Sequence, residues 1–204
     1  MNKKAERGRA TREHLLEVAT GLFAEHGYED TSIEAVLQET AVSRGALYHH
    51  FGGKEVLFTA VLESLERDVT EQLIGVVERL TDPVETLRAG CLAWVRLAAD
   101  PVVQRILLID APSVIGWERW RALEEKYALG MTKEALRLVA DAGRLPAEFV
   151  DAFAHMLLAA LNEMALMIAR SEDSDAAIRE GVAAVEELLH RLVGPGPASG
   201  AGGR

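Results

Sequence analysis

The stretch "TSIEAVLQETAVSRGALYHHF", Thr31 to Phe51, decides the fold because two short helical patterns meet within it. Thr31 and Glu34 form a capping box, which predicts that Thr31 is the N-cap of the first helix. Ser43 is placed to cap the second helix, which ends near Phe51 where two glycines follow. The pattern therefore predicts two helices that are joined by a tight turn at Ala41.

The second of these helices has two distinct faces. Val42, Leu47 and Phe51 form its apolar, inward set. The other side carries small, aromatic and basic residues: Arg44, Gly45, Ala46, Tyr48 and His49. Such a face suits the DNA major groove, where an arginine can read guanine and polar side chains meet phosphates. The two helices together predict a helix-turn-helix, whose second helix enters the groove.

Two competing sites fail on spacing. A phosphate-binding loop needs Ser or Thr after Gly-Lys, whereas Lys54 is followed by Glu55, and no strand is predicted before it. Adjacent histidines on a helix, such as His49 and His50, point about 100° apart, whereas helical ligand pairs need positions three or four residues apart. The sequence therefore predicts neither a metal site nor a cofactor.

Composition limits the setting of the protein. The chain has 204 residues, a net charge of −10 and a single cysteine, Cys91, so no disulfide can form within it. The N-terminus has no uninterrupted apolar region, so we expect a cytoplasmic protein without a membrane span. Basic residues gather locally at the start: Lys3, Lys4, Arg7, Arg9 and Arg12. An acidic protein can still carry a basic patch that meets DNA.

Helical periodicity continues through the chain, and no alternating strand pattern is present. It predicts an all-α fold of about nine helices, near residues 9–26, 32–40, 43–51, 54–80, 84–99, 101–110, 117–142, 146–170 and 174–193. Gly27 is expected to end the first helix, Asp82 is a candidate N-cap, and the last helix is expected to start at Asp173 or Ser174. The glycine-rich tail, 194–204, is predicted to be disordered.

The last two helices carry the longest apolar faces. The helix near 146–170 is apolar almost all round, so one side would stay exposed unless a partner covered it. Two such helices from each copy would form an isologous four-helix interface, which predicts a homodimer. The alternative is that both are core helices of a monomer.

Aromatic and polar residues in the larger region are candidates for a ligand pocket: Trp94, Trp117, Trp120, Tyr127, His155 and Asn162. An aromatic stripe at helical spacing serves equally well as core. Glu163, on the same apolar helix, would need a partner if buried, and Arg105, Asp110 and Arg121 are candidates. Asn162 and Glu163 fit a dimer seam as well as a pocket.

The segment "LFAEHGYEDTSIEAVLQETAVSRGALYHHFGGKEVLF", Leu22 to Phe58, resembles the DNA-binding region of the TetR family of bacterial transcriptional regulators. The resemblance implies homodimers that bind palindromic operators, usually as repressors, and a C-terminal domain that binds a small ligand. By position it implies phosphate contacts at Thr31, Tyr48, His49 and Lys54, and a base-facing set of Ser43, Arg44, Gly45 and Ala46. The family usually has glycine at the turn, where this chain has Ala41.

These observations predict a helix-turn-helix domain at 1–55 and a ligand-binding and dimerisation domain at 56–193. The expected partners are an operator in double-stranded DNA, a second copy of the chain and a small, largely apolar effector. An enzyme using His155 and Glu163 is the first alternative, but no arrangement of nucleophile, base and orienting group supports it. The second is a helical adaptor whose N-terminal segment binds protein.

Overall fold

The computed structural model describes residues 3–193, and every regular element in that range is helical. The prediction of an all-α fold is confirmed. The α-helices are α1 Lys3–Asp30, α2 Ile33–Thr40, α3 Arg44–His50, α4 Lys54–Val77, α5 Pro83–Leu97, α6 Pro101–Val103, α7 Ala111–Val114, α8 Trp117–Lys126, α9 Ala128–Asp141, α10 Val150–Ala169 and α11 Ser174–Leu192. A π-helical segment, Gln104–Asp110, joins α6 to α7, and a short 3-10 helix, Ala147–Phe149, precedes α10. The predicted disordered tail lies outside the described residues.

The chain forms two compact units whose bounds differ from the predicted domains at 1–55 and 56–193. Within the described residues, the first unit holds 3–67 together with Pro101–Arg121, and the second holds Asp68–Asp100 and 122–193. Within the first unit, α6 and the π-helical segment pack against α1. The first unit is therefore discontinuous in sequence.

Helix α1 bends at Gly27, whose backbone (φ 79°, ψ 173°) is not helical. One apolar face of this helix is buried, with Leu15, Ala19 and Phe23 fully inaccessible. The Arg105 side chain lies over Gly27, and a Cβ at that position would collide with its guanidinium. Glycine is thus required at the bend both for its positive φ and for the close approach of Arg105.

Aromatic side chains of α1 and α4 pack against each other in the first unit. Phe58 of α4 meets Phe23 edge-on at 5.2 Å and Tyr28 at 5.1 Å between ring centroids. Leu47 of α3 and Phe51 after it are also buried, at 0% and 2% exposure. Burial of these large side chains fixes the orientation of α3, because the helix offers no other apolar face.

The prediction that Thr31 caps α2 is wrong by one residue. Ser32 is the N-cap, and its hydroxyl accepts a hydrogen bond from the Ala35 amide at 3.0 Å. Thr31 is only 1% exposed, and its hydroxyl donates to the Gly27 carbonyl at 2.7 Å. The bend at Gly27 directs that carbonyl towards Thr31, so Ser32 is left to cap the helix.

Ala41 ends α2 in the left-handed region, with φ 52° and ψ 20°. It is the only residue other than glycine with positive φ among residues 3–193. An alanine in this conformation costs about 1–2 kcal/mol relative to its preferred regions. The departure from the glycine usual in the family therefore has a local energetic cost.

Replacing Ala41 by glycine is expected to stabilise the first unit by about 0.5–1 kcal/mol, because the relief of strain exceeds the entropy that glycine adds to the unfolded chain. Urea denaturation should show a higher midpoint with an unchanged slope. Ala10, an exposed residue within α1, provides the control. Its change to glycine should destabilise the protein by about 1 kcal/mol. A lower midpoint for Ala41→Gly would contradict the strain at the turn.

In the second unit, α10 packs against α5, α9 and α11. The predicted cap at Asp82 is confirmed, since its side chain accepts from the Glu85 amide at 2.8 Å, and Asp173 caps α11 by accepting from the Ala176 amide at 2.9 Å. The single helix predicted for 117–142 is wrong, because Tyr127 (φ −114°, ψ −95°) interrupts it. Ala147–Ala169 is long and apolar enough to cross a membrane by length and composition, with a mean hydropathy of 1.6. Its packing against three neighbours is that of a helix in a folded bundle.

Candidate nucleic-acid interface and ligand cavity

Helix α3 presents one exposed face that is supported by buried residues behind it. Ser43 caps the helix by accepting from the Ala46 amide at 3.2 Å, as predicted. The predicted outward residues are exposed, apart from Ala46, which is half-buried: Ser43, Arg44, Gly45, Tyr48 and His49. No atom lies near the position where a Cβ would stand at Gly45. The backbone of α3 is therefore open to close approach by a large partner.

Arg44 is held in an ion pair on this face. Its Nη2 lies 2.6 Å from Oε1 of Glu34 in the first turn of α2. The hydrogen bond raises the pKa of Arg44 and lowers that of Glu34, so both groups are charged at neutral pH. Tyr48 raises the pKa of Arg44 further, by a smaller amount. The partners are ten residues apart and lie on different helices, so spacing along a single helix does not predict this pair.

Two of the residues implied as phosphate contacts face inward. Thr31 is buried, and its hydroxyl hydrogen is committed to main-chain carbonyls. The Nζ of Lys54 donates to the carbonyls of Tyr28 (2.7 Å) and Glu29 (3.2 Å) and lies 4.2 Å from the centroid of the Tyr28 ring. Lys54 thus braces the end of α1 against α4. Ser32, next to Thr31, is exposed and sits at the N-terminus of α2.

A buried carboxylate connects the π-helical segment to the bend in α1. Asp110 is 8% exposed and accepts from the Tyr28 amide at 2.8 Å and from Arg105 Nε at 3.2 Å. The expectation that Arg105 or Asp110 partners a buried Glu163 is wrong, because Glu163 is exposed. The face of α10 that carries Glu163 is exposed in the single chain.

The second unit contains a cavity of about 250 Å³ between side chains of α4, α5, α9 and α10. Of the predicted ligand residues, Trp94 lines it. Trp117 lies in the first unit and is 63% exposed, and its ring is tilted by 45° against that of Trp120 at 5.0 Å between centroids. The other three stand outside the cavity lining: Tyr127, His155 and Asn162.

These three residues have different surroundings. Tyr127 is buried core at 8% exposure. His155 is half-buried, with Nε2 3.8 Å from Asp151. Oδ1 of Asn162 is buried, and no hydrogen-bond donor from the described residues reaches it. Within residues 3–193 no three His, Cys, Asp or Glu side chains converge in a way that could hold a metal ion.

Two family models match this chain, one near each end. Residues 15–61 match the model described as bacterial regulatory proteins of the TetR family. Residues 84–192 match a tetracyclin repressor-like C-terminal domain. The two matches together cover the helix-turn-helix and three of the four helices that line the cavity, α5, α9 and α10, almost completely.

The similarity to curated relatives covers only part of this chain and part of each relative. The transcriptional repressor AcnR of Corynebacterium glutamicum is 49% identical over 113 residues, covering 52% of this chain and 60% of that protein. The regulator LmrA of Bacillus subtilis is 34% identical over 80 residues, covering 39% of this chain and 43% of that protein. The chain thus spans about half the length of these relatives.

Solved structures extend the similarity to nearly the whole chain. A TetR-family transcriptional regulator from Pectobacterium atrosepticum superposes with a TM-score of 0.78 at 32% identity, covering 94% of this chain and 98% of that one. TylP, a TetR regulator from Streptomyces fradiae, gives 0.69 at 28% identity and covers 93% and 89% of the two chains. The chain therefore belongs to the TetR family of bacterial transcriptional regulators, which are DNA-binding proteins and not enzymes.

Proposed function

We propose that the protein is a cytoplasmic homodimeric repressor that binds a palindromic operator and is released from it by a small, largely apolar ligand. The observation that carries this proposal is the exposed face of α3, fixed by the buried Leu47 behind it. A short helix that is capped at its start and free of large outward aliphatic side chains fits a major groove.

We assign the direct reading of base edges to the first turn of α3. Arg44 can make a bidentate contact with guanine when it leaves Glu34, and Gly45 allows the helix backbone to approach. Tyr48 and His49 lie one turn further along, where they would meet phosphate oxygens. At the start of α2 we propose Ser32 in place of the buried Thr31, because an exposed hydroxyl at a helix N-terminus suits an anion.

Further positive charge comes from the start of α1. Its basic side chains are exposed on the described part of the helix: Lys3, Arg7, Arg9 and Arg12. They supply attraction to phosphates that does not depend on sequence, although the protein as a whole is acidic.

The proposed dimer forms through the uncovered faces of α10 and α11. Met156 and Met167 of α10 are 65% and 57% exposed, and Leu188 of α11 is 42% exposed. Ala159, Ala160 and Ala184 are small, exposed residues on the same two helices. Flexible methionines among small residues would allow two copies of this face to pack closely, as a two-fold interface requires.

Release would follow from a shift between two conformers of the dimer. A ligand that binds one conformer more tightly raises its population. Operator affinity falls when the two recognition helices of that conformer no longer match major grooves about 34–36 Å apart.

A gel-shift titration on the DNA upstream of the protein's own gene tests the proposal. We expect a discrete complex that survives excess scrambled DNA and weakens as salt rises, because phosphate contacts release counterions. The matched control is a fragment of equal length and composition with one half-site inverted. Equal affinity for the genuine and scrambled fragments would refute a sequence-specific regulator.

A further inference from the structure

The lining of the cavity in the second unit contains no buried charged side chain that could pair with a ligand. Among the described residues that line it, the ionisable side chains are Glu134 and Cys91. Glu134 is exposed and hydrogen-bonded to Arg137. Burial raises the pKa of the Cys91 thiol to about 12, so the thiol is neutral at pH 7. Because Glu134 is exposed and already paired with Arg137, an ionic ligand in the apolar part of the cavity would lose its hydration without gaining a buried partner of opposite charge, and such a loss is unfavourable.

Hydrogen-bond donors in the cavity wall are nearly all occupied. The hydroxyl of Thr86 donates to the Asp82 carbonyl at 2.9 Å, and that of Thr132 donates to the Ala128 carbonyl at 2.8 Å. Trp94 differs from both. It is 7% exposed, and its indole Nε1–H is buried with no acceptor from the described part of the protein. Buried donors are normally satisfied, so this one is open to an acceptor that the described residues do not supply, such as a ligand atom or a water molecule.

We propose that the cavity binds a neutral, compact, largely apolar molecule that carries a hydrogen-bond acceptor, and that this acceptor takes the Trp94 Nε1–H. The inference rests on the proposed ligand response and narrows its chemistry to ketones, esters, lactones and ethers of modest size. A dry apolar cavity of about 150 Å³ holds benzene. By scaling, this cavity of about 250 Å³ suits roughly ten non-hydrogen atoms.

Fluorescence of Trp94 can report binding directly. The chain has three tryptophans, so the double variant Trp117→Phe/Trp120→Phe keeps Trp94 alone. The probes are indane and 1-indanone, which share a carbon skeleton and differ by the ketone oxygen. Two ionised analogues, 1-aminoindane and indane-1-carboxylate, test the requirement for neutrality. We expect 1-indanone to bind about tenfold more tightly than indane, as one hydrogen bond to a buried donor implies. The ionised analogues should bind at least tenfold more weakly than indane.

The variant Trp94→Phe separates the hydrogen bond from the cavity itself. In this variant 1-indanone should lose its advantage while indane keeps its affinity, both measured by the ligand-induced shift in melting temperature. Trp117→Phe is the matched control, because it removes an exposed indole and should leave both affinities unchanged. Gly90 lines the cavity and has ordinary room for a Cβ. Gly90→Leu should fill the space and abolish binding of both probes.

Several outcomes would overturn the inference: equal affinity for the two neutral probes, a preference for 1-indanone that survives Trp94→Phe, or tighter binding of an ionised analogue. Gel shifts with and without 1-indanone test the proposed function separately. Binding that follows the predicted order without any change in operator affinity would support the ligand chemistry and count against ligand-driven release. Absence of any specific DNA complex would refute the regulator proposal while the fluorescence result still decides the ligand class.

Discussion

Replacing Arg44 by alanine is expected to weaken operator binding about a hundredfold or more while the fold and the dimer persist. A bidentate contact to guanine contributes about 1–3 kcal/mol, and a two-fold symmetric dimer makes the contact twice. The side chain is 58% exposed and its ion pair with Glu34 lies on the surface, so its loss should cost the fold little. Gel shifts give the affinity, and sedimentation and thermal unfolding verify the dimer and the fold.

The matched control is Arg137→Ala. Arg137 is 60% exposed and also pairs with a glutamate, Glu134, but it lies on α9. Its loss should leave operator affinity unchanged. If Arg44→Ala bound the operator as the unaltered protein does, α3 would not be the recognition helix. If both variants were equally impaired, general charge rather than base reading would account for binding.

Changing Met156 to arginine is expected to weaken the dimer by about three orders of magnitude or more. The side chain is 65% exposed in the single chain, so the substitution spares the protein's own core. In the proposed interface the new charge would be buried twice, and each unpaired buried charge costs about 3 kcal/mol or more. Operator binding should fall with the dimer, because one recognition helix alone makes half the contacts.

Sedimentation velocity over a range of protein concentrations measures this effect. Ile74→Arg provides the control, since Ile74 is 47% exposed and lies on α4, a helix that is not part of the proposed interface. It should remain dimeric. A Met156→Arg protein that stays dimeric at nanomolar concentration would place the interface elsewhere, and a dissociated Ile74→Arg protein would indicate that α4 contributes to it.

Local sequence patterns were sufficient to predict α3. Leu47 and Phe51 are the only large apolar residues in or directly after this helix, so they had to face inward, and the polar side then had to face outward. The cap of α2 could not be predicted in the same way. Thr31 and Ser32 are adjacent hydroxyl residues, and the bend at Gly27 decides which of them is buried.

Tertiary contacts explain the other differences. The pairing of Arg44 with Glu34 depends on the angle between two helices, which periodicity does not contain. The aromatic stripe of Trp117, Trp120 and Tyr127 is divided, because Trp117 and Trp120 lie in the first unit, whereas Tyr127 lies in the second. Spacing along a helix shows which side chains share a face, but it does not show which neighbour covers that face.

Because Pro101–Arg121 belongs to the first unit, the DNA-binding unit is not a single continuous segment that can be transferred between proteins. A fragment that stops at Arg67 would retain the recognition helix but lose Asp110, the acceptor of the Tyr28 amide, and Arg105 over Gly27. In such a fragment the Tyr28 amide of α1 would lose its acceptor, and the apolar surface of α1 that packs on this segment would be exposed. A chimera with another regulator would therefore need both segments of the first unit. Exchange of the N-terminal segment alone should give a less stable DNA-binding unit with lower affinity for DNA.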